Sequence, residues 1–121
     1  MRKFKKSVGY AIKGIRYAIK SERNLRIHLV AAIAVLVAGI IFKLTSGEWA
    51  LLCIVIGIMI TAELFNSAIE LISNFISPGH HKEIEKIKDI SAGAVLIAAI
   101  AAVAGGIFIF WPHISVLFSS H

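Results

Sequence analysis

Three long apolar runs constrain this chain of 121 residues more than anything else in it: residues 27–44, with the core LVAAIAVLVAGIIF, residues 49–76 and residues 90–111. Each reaches about 18 residues or more, the length at which an α-helix crosses the hydrocarbon layer of a bilayer. A spanning segment must satisfy its own backbone hydrogen bonds, so runs of this kind form helices. A soluble domain of this size has too little interior to hide them, because 58% of the residues are hydrophobic and 17% charged. The expected fold is an all-α membrane domain over residues 1–121 with three transmembrane helices. Thr45-Ser46-Gly47 reads as a tight turn after the first span, and Ser77-Pro78-Gly79 as the breaker that ends the second. Residues 77–89 read as a polar loop, Pro112 as the stop of the third span, and residues 112–121 as a short disordered tail.

Charge gives an orientation. Nine of the thirteen Lys and Arg residues lie within residues 1–26, Lys82, Lys86 and Lys88 lie in the 77–89 loop, and Lys43 alone lies between the first two spans. Basic residues stay on the cytoplasmic side, so the N-terminus and the 77–89 loop are expected inside, and the C-terminus outside. Over residues 2–20, Phe4, Val8, Ala11, Ile12, Ile15 and Ile19 share one helical face while Lys3, Lys6, Lys13, Arg16 and Lys20 lie mainly on the other. Such a helix lies in the membrane interface. The net charge of +6 therefore points to anionic headgroups and not to nucleic acid, since no exposed basic patch with interleaved aromatics is present. The basic stretch is too long, and lacks the small-residue cleavage site, for a cleavable signal. Cys53, the single cysteine, sits in an apolar run and builds no disulfide within one chain.

The second span contains residues that are expensive there. Glu63, Asn66, Glu70 and Asn74 fall within an arc of about 80° at about 100° per residue. Ionisable groups in a membrane helix normally face protein or a water-filled site, although asparagines alone also glue helices together. Counting about 1.5 Å per residue from Trp49, Glu63 lies about 21 Å in and Glu70 about 31 Å in, near the inner edge of the hydrocarbon. Glu22 precedes the first span and Lys88-Asp89 enters the third on that same side. Topology thus gathers Glu22, Glu70, Asn74, Lys88 and Asp89 at one depth, with Glu63 deeper. Carboxylates, amides and a lysine at the cytosolic edge suit a metal-bound polyphosphate, since Mg²⁺ takes a few carboxylates plus phosphate oxygens. A deeper carboxylate suits general-base attack by a hydroxyl dissolved in the membrane. No GxxxxGK[ST] loop occurs, which excludes a P-loop kinase, and no HExxH or zinc-type Cys/His pattern is present either. His28 reads as an interfacial residue at the mouth of the first span, and His80 and His81 as solvated loop residues.

The strings Ala62-Glu63-Leu64-Phe65-Asn66-Ser67-Ala68-Ile69-Glu70 and Lys88-Asp89-Ile90-Ser91-Ala92-Gly93-Ala94-Val95-Leu96 resemble the prokaryotic diacylglycerol kinase and undecaprenol kinase family. So do Gly9-Tyr10 with Lys13-Gly14, and Glu22-Arg23-Asn24 with Arg26. The resemblance runs over residues 3–111 with the motifs in family order. It implies a homotrimer of three-span subunits in a bacterial plasma (inner) membrane, with ATP as donor and composite sites between subunits. Glu63 would be the catalytic base and Asn66 its neighbour in the catalytic motif. Glu22 and Glu70 would hold Mg²⁺ bridging ATP, and Lys88, Asp89, Tyr10 and His81 would contact the nucleotide. A trimer would also use the small residues Ser91, Ala92, Gly93, Ala94, Ala98 and Ala102, which let helices approach closely. Two positions depart: Asn74 stands where the family commonly has an aspartate, and Lys3 where some members have arginine.

The expected activity is transfer of the γ-phosphoryl group of ATP to the hydroxyl of diacylglycerol or undecaprenol. Two rivals of other classes remain. A small proton-coupled transporter would use Glu63 as its intramembrane proton site, but has no use for carboxylates and Lys88-Asp89 gathered at the interface. A non-enzymatic assembly subunit would rest on Asn66 and the small-residue faces, and would tolerate glutamine at positions 22 and 70.

Overall fold

The computed structural model describes residues 1–76, 79 and 81–119 and forms four helices, with no strand among the described residues. They are α1 (Arg2–Ser21), α2 (Arg23–Phe42), α3 (Ser46–Ile76) and α4 (Lys82–Ser119). Helices α2, α3 and α4 are each long and apolar enough to cross a membrane. The all-α plan expected from the sequence, with three helices long and apolar enough to span, is the plan observed.

Each boundary has a local cause. Glu22 alone separates α1 from α2, with an extended backbone at φ −112° and ψ 111°. Arg26, one turn into α2, reaches back across this elbow: its Nη1 donates to the carbonyls of Ile19 and Lys20 at 2.8 and 2.9 Å. These are among the last carbonyls of α1, which have no partner inside their own helix, and the guanidinium also meets the negative end of the α1 dipole. At the far end of α2, Lys43 adopts the left-handed conformation (φ 54°, ψ 60°). Its N–H donates to the Ile40 carbonyl and that of Leu44 to the Gly39 carbonyl, closing the helix in a Schellman pattern. Thr45 then caps α3 in a reciprocal box. The Glu48 N–H donates to Thr45 Oγ1 at 3.2 Å, and the Thr45 N–H donates to Glu48 Oε1 at 2.9 Å. Ser46 and Gly47 are therefore helical, and the turn expected at 45–47 is confined to residues 43–45.

Two further boundaries differ from expectation. The polar stretch read as a loop is helical from Lys82, because the His81 carbonyl and its Nδ1 take the N–H groups of Glu85 and Glu83. Acidic Glu83 and Glu85 in the first turn suit the positive end of the helix. Pro112 does not end α4 either; the helix runs on to Ser119. Proline removes one N–H and crowds the carbonyl four residues back, yet long apolar helices accommodate it. Here His113 anchors the continuation, with Nε2 2.9 Å from Glu48 Oε2 and its ring against Phe42. The expected disordered tail is thus helical as far as it is described. Ser77 and Pro78 of the breaker, His80, and residues 120 and 121 lie outside the described residues.

Packing is unevenly distributed along the bundle. Helices α3 and α4 pack most extensively, and α2 lies against α3. The apolar core sits at the Glu48 end: Leu44, Leu52 and Ile109 are buried, ringed by Leu36, Phe42, Trp49, Ile56 and Phe110. Phe42 and Phe110 meet edge to face with centroids 6.0 Å apart. Gly39 lets the indole in, since a Cβ there would lie 2.7 Å from Trp49 Cη2. Elsewhere large apolar side chains such as Ile40, Phe65, Phe75, Ile97 and Phe108 stand exposed, which suits lipid or further protein around the chain. The polar stripe of α3 occupies the opposite end from this core.

Candidate functional site

Helix α3 carries Glu63, Asn66, Glu70 and Asn74 at spacings of three and four, so one face presents them in sequence down the helix. Glu63 is the deepest, at 2% exposure, and an ionised carboxylate so placed needs a partner. It has one. His28 of α2 places Nε2 3.1 Å from Glu63 Oε1. The reading of His28 as a simple interfacial residue gives way to this contact.

Glu22 approaches from the elbow. Its carboxyl is held above its ordinary range, first by burial, then by the negative charges of Glu70 and Glu63, with Arg26 pulling the other way. That ordering is itself geometric information. Glu22 lies within electrostatic reach of both Glu63 and Glu70, which follow it by 41 and 48 positions of sequence. Three carboxylates repel unless a cation or a proton joins them. Among the described residues no set of three His, Cys, Asp or Glu side chains converges tightly enough to hold a metal ion unaided. Glu22 and Glu70 could supply two hard carboxylate donors to a cation that takes its remaining oxygens from elsewhere.

Helix α4 supplies the remaining polar contacts. The Ser91 hydroxyl donates to Asn66 Oδ1 at 2.7 Å. Lys88 Nζ donates to Asn74 Oδ1, also at 2.7 Å. Lys88 thus reaches the stripe, and the amide at position 74 is what receives it. Among the described residues no buried side-chain nitrogen or oxygen lacks a hydrogen-bond partner.

Three expected residues are not drawn into this cluster. Tyr10 is exposed on α1, Asp89 is exposed on α4, and neither makes a hydrogen bond or ion pair with it. His81 is exposed and caps α4 through Nδ1. Two hollows lie between the helices. One of about 890 Å³ lies between α3 and α4, with Thr61, Phe65, Asn66, Ile87 and Ser91 in its wall. The other, about 480 Å³, is almost wholly apolar and has His28 in its wall with Ala31, Met59, Ala102 and Phe110.

Sequence reasoning missed His28, Ser91 and Arg26 as parts of the site. A signal existed for the first: a glutamate buried in a span demands a donor, and His28 is the titratable residue nearest its depth on the preceding helix. The others depend on the angle at which helices meet, which hydropathy does not encode.

The family model for prokaryotic diacylglycerol kinase matches residues 9–110. The chain is 37% identical over 114 residues to the undecaprenol kinase of Bacillus subtilis, covering 94% of this chain and 93% of that protein. It is 37% identical over 113 residues to the diacylglycerol kinase of Synechocystis, covering 92% of this chain and 65% of that longer protein. With the Escherichia coli K12 diacylglycerol kinase the identity is 32% over 108 residues, covering 89% of this chain and 88% of that one.

Proposed function

The chain belongs to the prokaryotic diacylglycerol kinase family, and on that premise we propose that it is a membrane lipid kinase using ATP and Mg²⁺. The observation that carries this reading is the approach of Glu22, Glu63 and Glu70 with Glu63 alone buried. A proton-coupled carrier needs the buried carboxylate but not the two beside it, and the relatives described above are named as kinases. The assembly-subunit rival likewise leaves the carboxylate surplus without a purpose.

In the proposed reaction the acceptor lipid presents its hydroxyl to Glu63 from within the bilayer. Glu63 takes the hydroxyl proton as the lipid oxygen forms its bond to the γ-phosphorus. The bond from that phosphorus to the bridging oxygen breaks, and ADP leaves as the lipid phosphate forms. Mg²⁺ on Glu22 and Glu70 would neutralise charge on the phosphates, which is most of what such a transfer requires. Lys88 would exchange Asn74 for a phosphate oxygen, and Asn66, held by Ser91, would lie beside the base. Tyr10, His81 and Asp89 are proposed to meet the nucleotide once it is bound.

The same reading orients the chain with α1 and the start of α4 at the cytoplasmic face of a bacterial membrane. The uncovered apolar face of α1, including Phe4, Val8, Ile12 and Ile15, would rest on the lipid interface. A homotrimer would cover part of the apolar surface that a single chain leaves open and could complete the cation site. The acceptor is diacylglycerol or undecaprenol, and transfer of labelled γ-phosphate to the two lipids side by side in mixed micelles decides between them. Label on either lipid supports the proposal, and the faster acceptor names the substrate. Folded, assembled protein that labels neither would overturn it.

A further inference from the structure

We propose that His28 is a positioning residue for Glu63, its Nε2–H fixing one carboxylate oxygen so that the other is presented to the acceptor hydroxyl. The inference rests on the reading of Glu63 as the base. The contact is 3.1 Å from His28 Nε2 to Glu63 Oε1, with the carboxylate side chain 3% exposed and the imidazole 29% exposed. A carboxylate only accepts, so the bridge requires a proton on Nε2. The terminal torsion of glutamate is broad and roughly two-fold, so an untethered carboxylate samples many orientations. Glu22, which lies within electrostatic reach of Glu63, is acidic and offers its carboxylate no donor. His28 is the donor that holds it.

The position of the imidazole adds a second reason. His28 belongs at once to the ion pair and to the wall of the apolar hollow between α2, α3 and α4. A lipid tail accommodated there would bring a polar end toward the pair. The partner on the base is thus set where acceptor and base would meet, and it takes no part in the Lys88–Asn74 bond. Its removal should act on the transfer step and leave nucleotide binding alone.

The test uses full-length protein in mixed micelles at saturating lipid, with ATP varied. His28→Ala should lower kcat about tenfold to a hundredfold, the usual cost of losing a hydrogen bond that orients an active group. KM for ATP should stay within about twofold of wild type, because no interaction with the donor is removed. His28→Gln places an amide N–H near the former Nε2 and should restore kcat to within about threefold, since it keeps a donor for the carboxylate. Wild-type kcat in His28→Ala would overturn the inference. So would equal losses in both variants, or a rise in KM at constant kcat, each of which denies a donor role at Glu63. Glu63→Gln run alongside separates the two readings. Full activity in that variant removes the base itself, whereas its inactivity together with an active His28→Ala removes only the role of His28.

Discussion

Replacing Arg26 with alanine tests whether the elbow between α1 and α2 sets the position of Glu22. The guanidinium makes two charge-assisted bonds, at 2.8 and 2.9 Å, to carbonyls that α1 cannot satisfy itself. Buried bonds of this class contribute about 1.5–3 kcal/mol each. Arg26 is exposed, so water replaces much of that, and about 0.5–1 kcal/mol per bond survives. The expected loss is therefore about 1–2 kcal/mol in the stability of the elbow, close to a tenfold rise in its opening equilibrium constant. Hydrogen exchange at residues 18–24 should accelerate by about that factor. Glu22 would then sit less often beside Glu70, and KM for MgATP should rise, by up to about tenfold, while kcat at saturation changes by less than about threefold. Unchanged exchange and unchanged KM in Arg26→Ala would show that Glu22 is placed by something other than this staple.

Four further outcomes follow from the structure. Gly39→Ala should destabilise the protein by about 1 kcal/mol in thermal melts, overpacking against Trp49 outweighing the helical gain. Gly14→Ala, where an added Cβ meets nothing within 4 Å, should instead stabilise by about 0.5–1 kcal/mol. Lys43→Gly should raise stability by about 1 kcal/mol by relieving a left-handed residue with a side chain; a lowered melting temperature would show that the lysine does more than cap α2. The metal-free protein should lose stability as pH rises through the titration range of Glu22. Its folded-state affinity for a proton is raised by burial and by Glu70 and Glu63, so the folded state binds more protons than the unfolded one in that window. The effect is small, below about 1 kcal/mol after solvent screening, and Glu22→Gln should abolish it.

How far the sequence discloses this molecule follows from what each signal measures. Hydropathy counts along the chain, so it finds α2, α3 and α4 and the approximate depth of Glu63 and Glu70. Helical periodicity gives the α3 stripe for the same reason. Boundaries that depend on side-chain capping are harder. The Thr45–Glu48 box converts an apparent turn into the first turn of α3, and His81 does the same for α4. Pro112 misleads because its local cost is offset by a contact 65 positions away, between His113 and Glu48. Within the site, Glu22, Glu63, Glu70 and Lys88 are legible because charge in or beside a span is conspicuous. His28 and Ser91 are ordinary residues for an interface and a small-residue helix face, and only the packing of α2 and α4 on α3 gives them partners.

The division of labour among the carboxylates is tested most directly by measuring MgATP binding and lipid phosphorylation together in wild type, Glu63→Gln and Glu70→Gln. Glu63→Gln should bind MgATP as wild type does yet lose transfer by about a hundredfold or more, as expected on removing a general base. Glu70→Gln should fail already at MgATP binding. Transfer at the wild-type rate by Glu63→Gln, or unimpaired MgATP binding by Glu70→Gln, would contradict the mechanism.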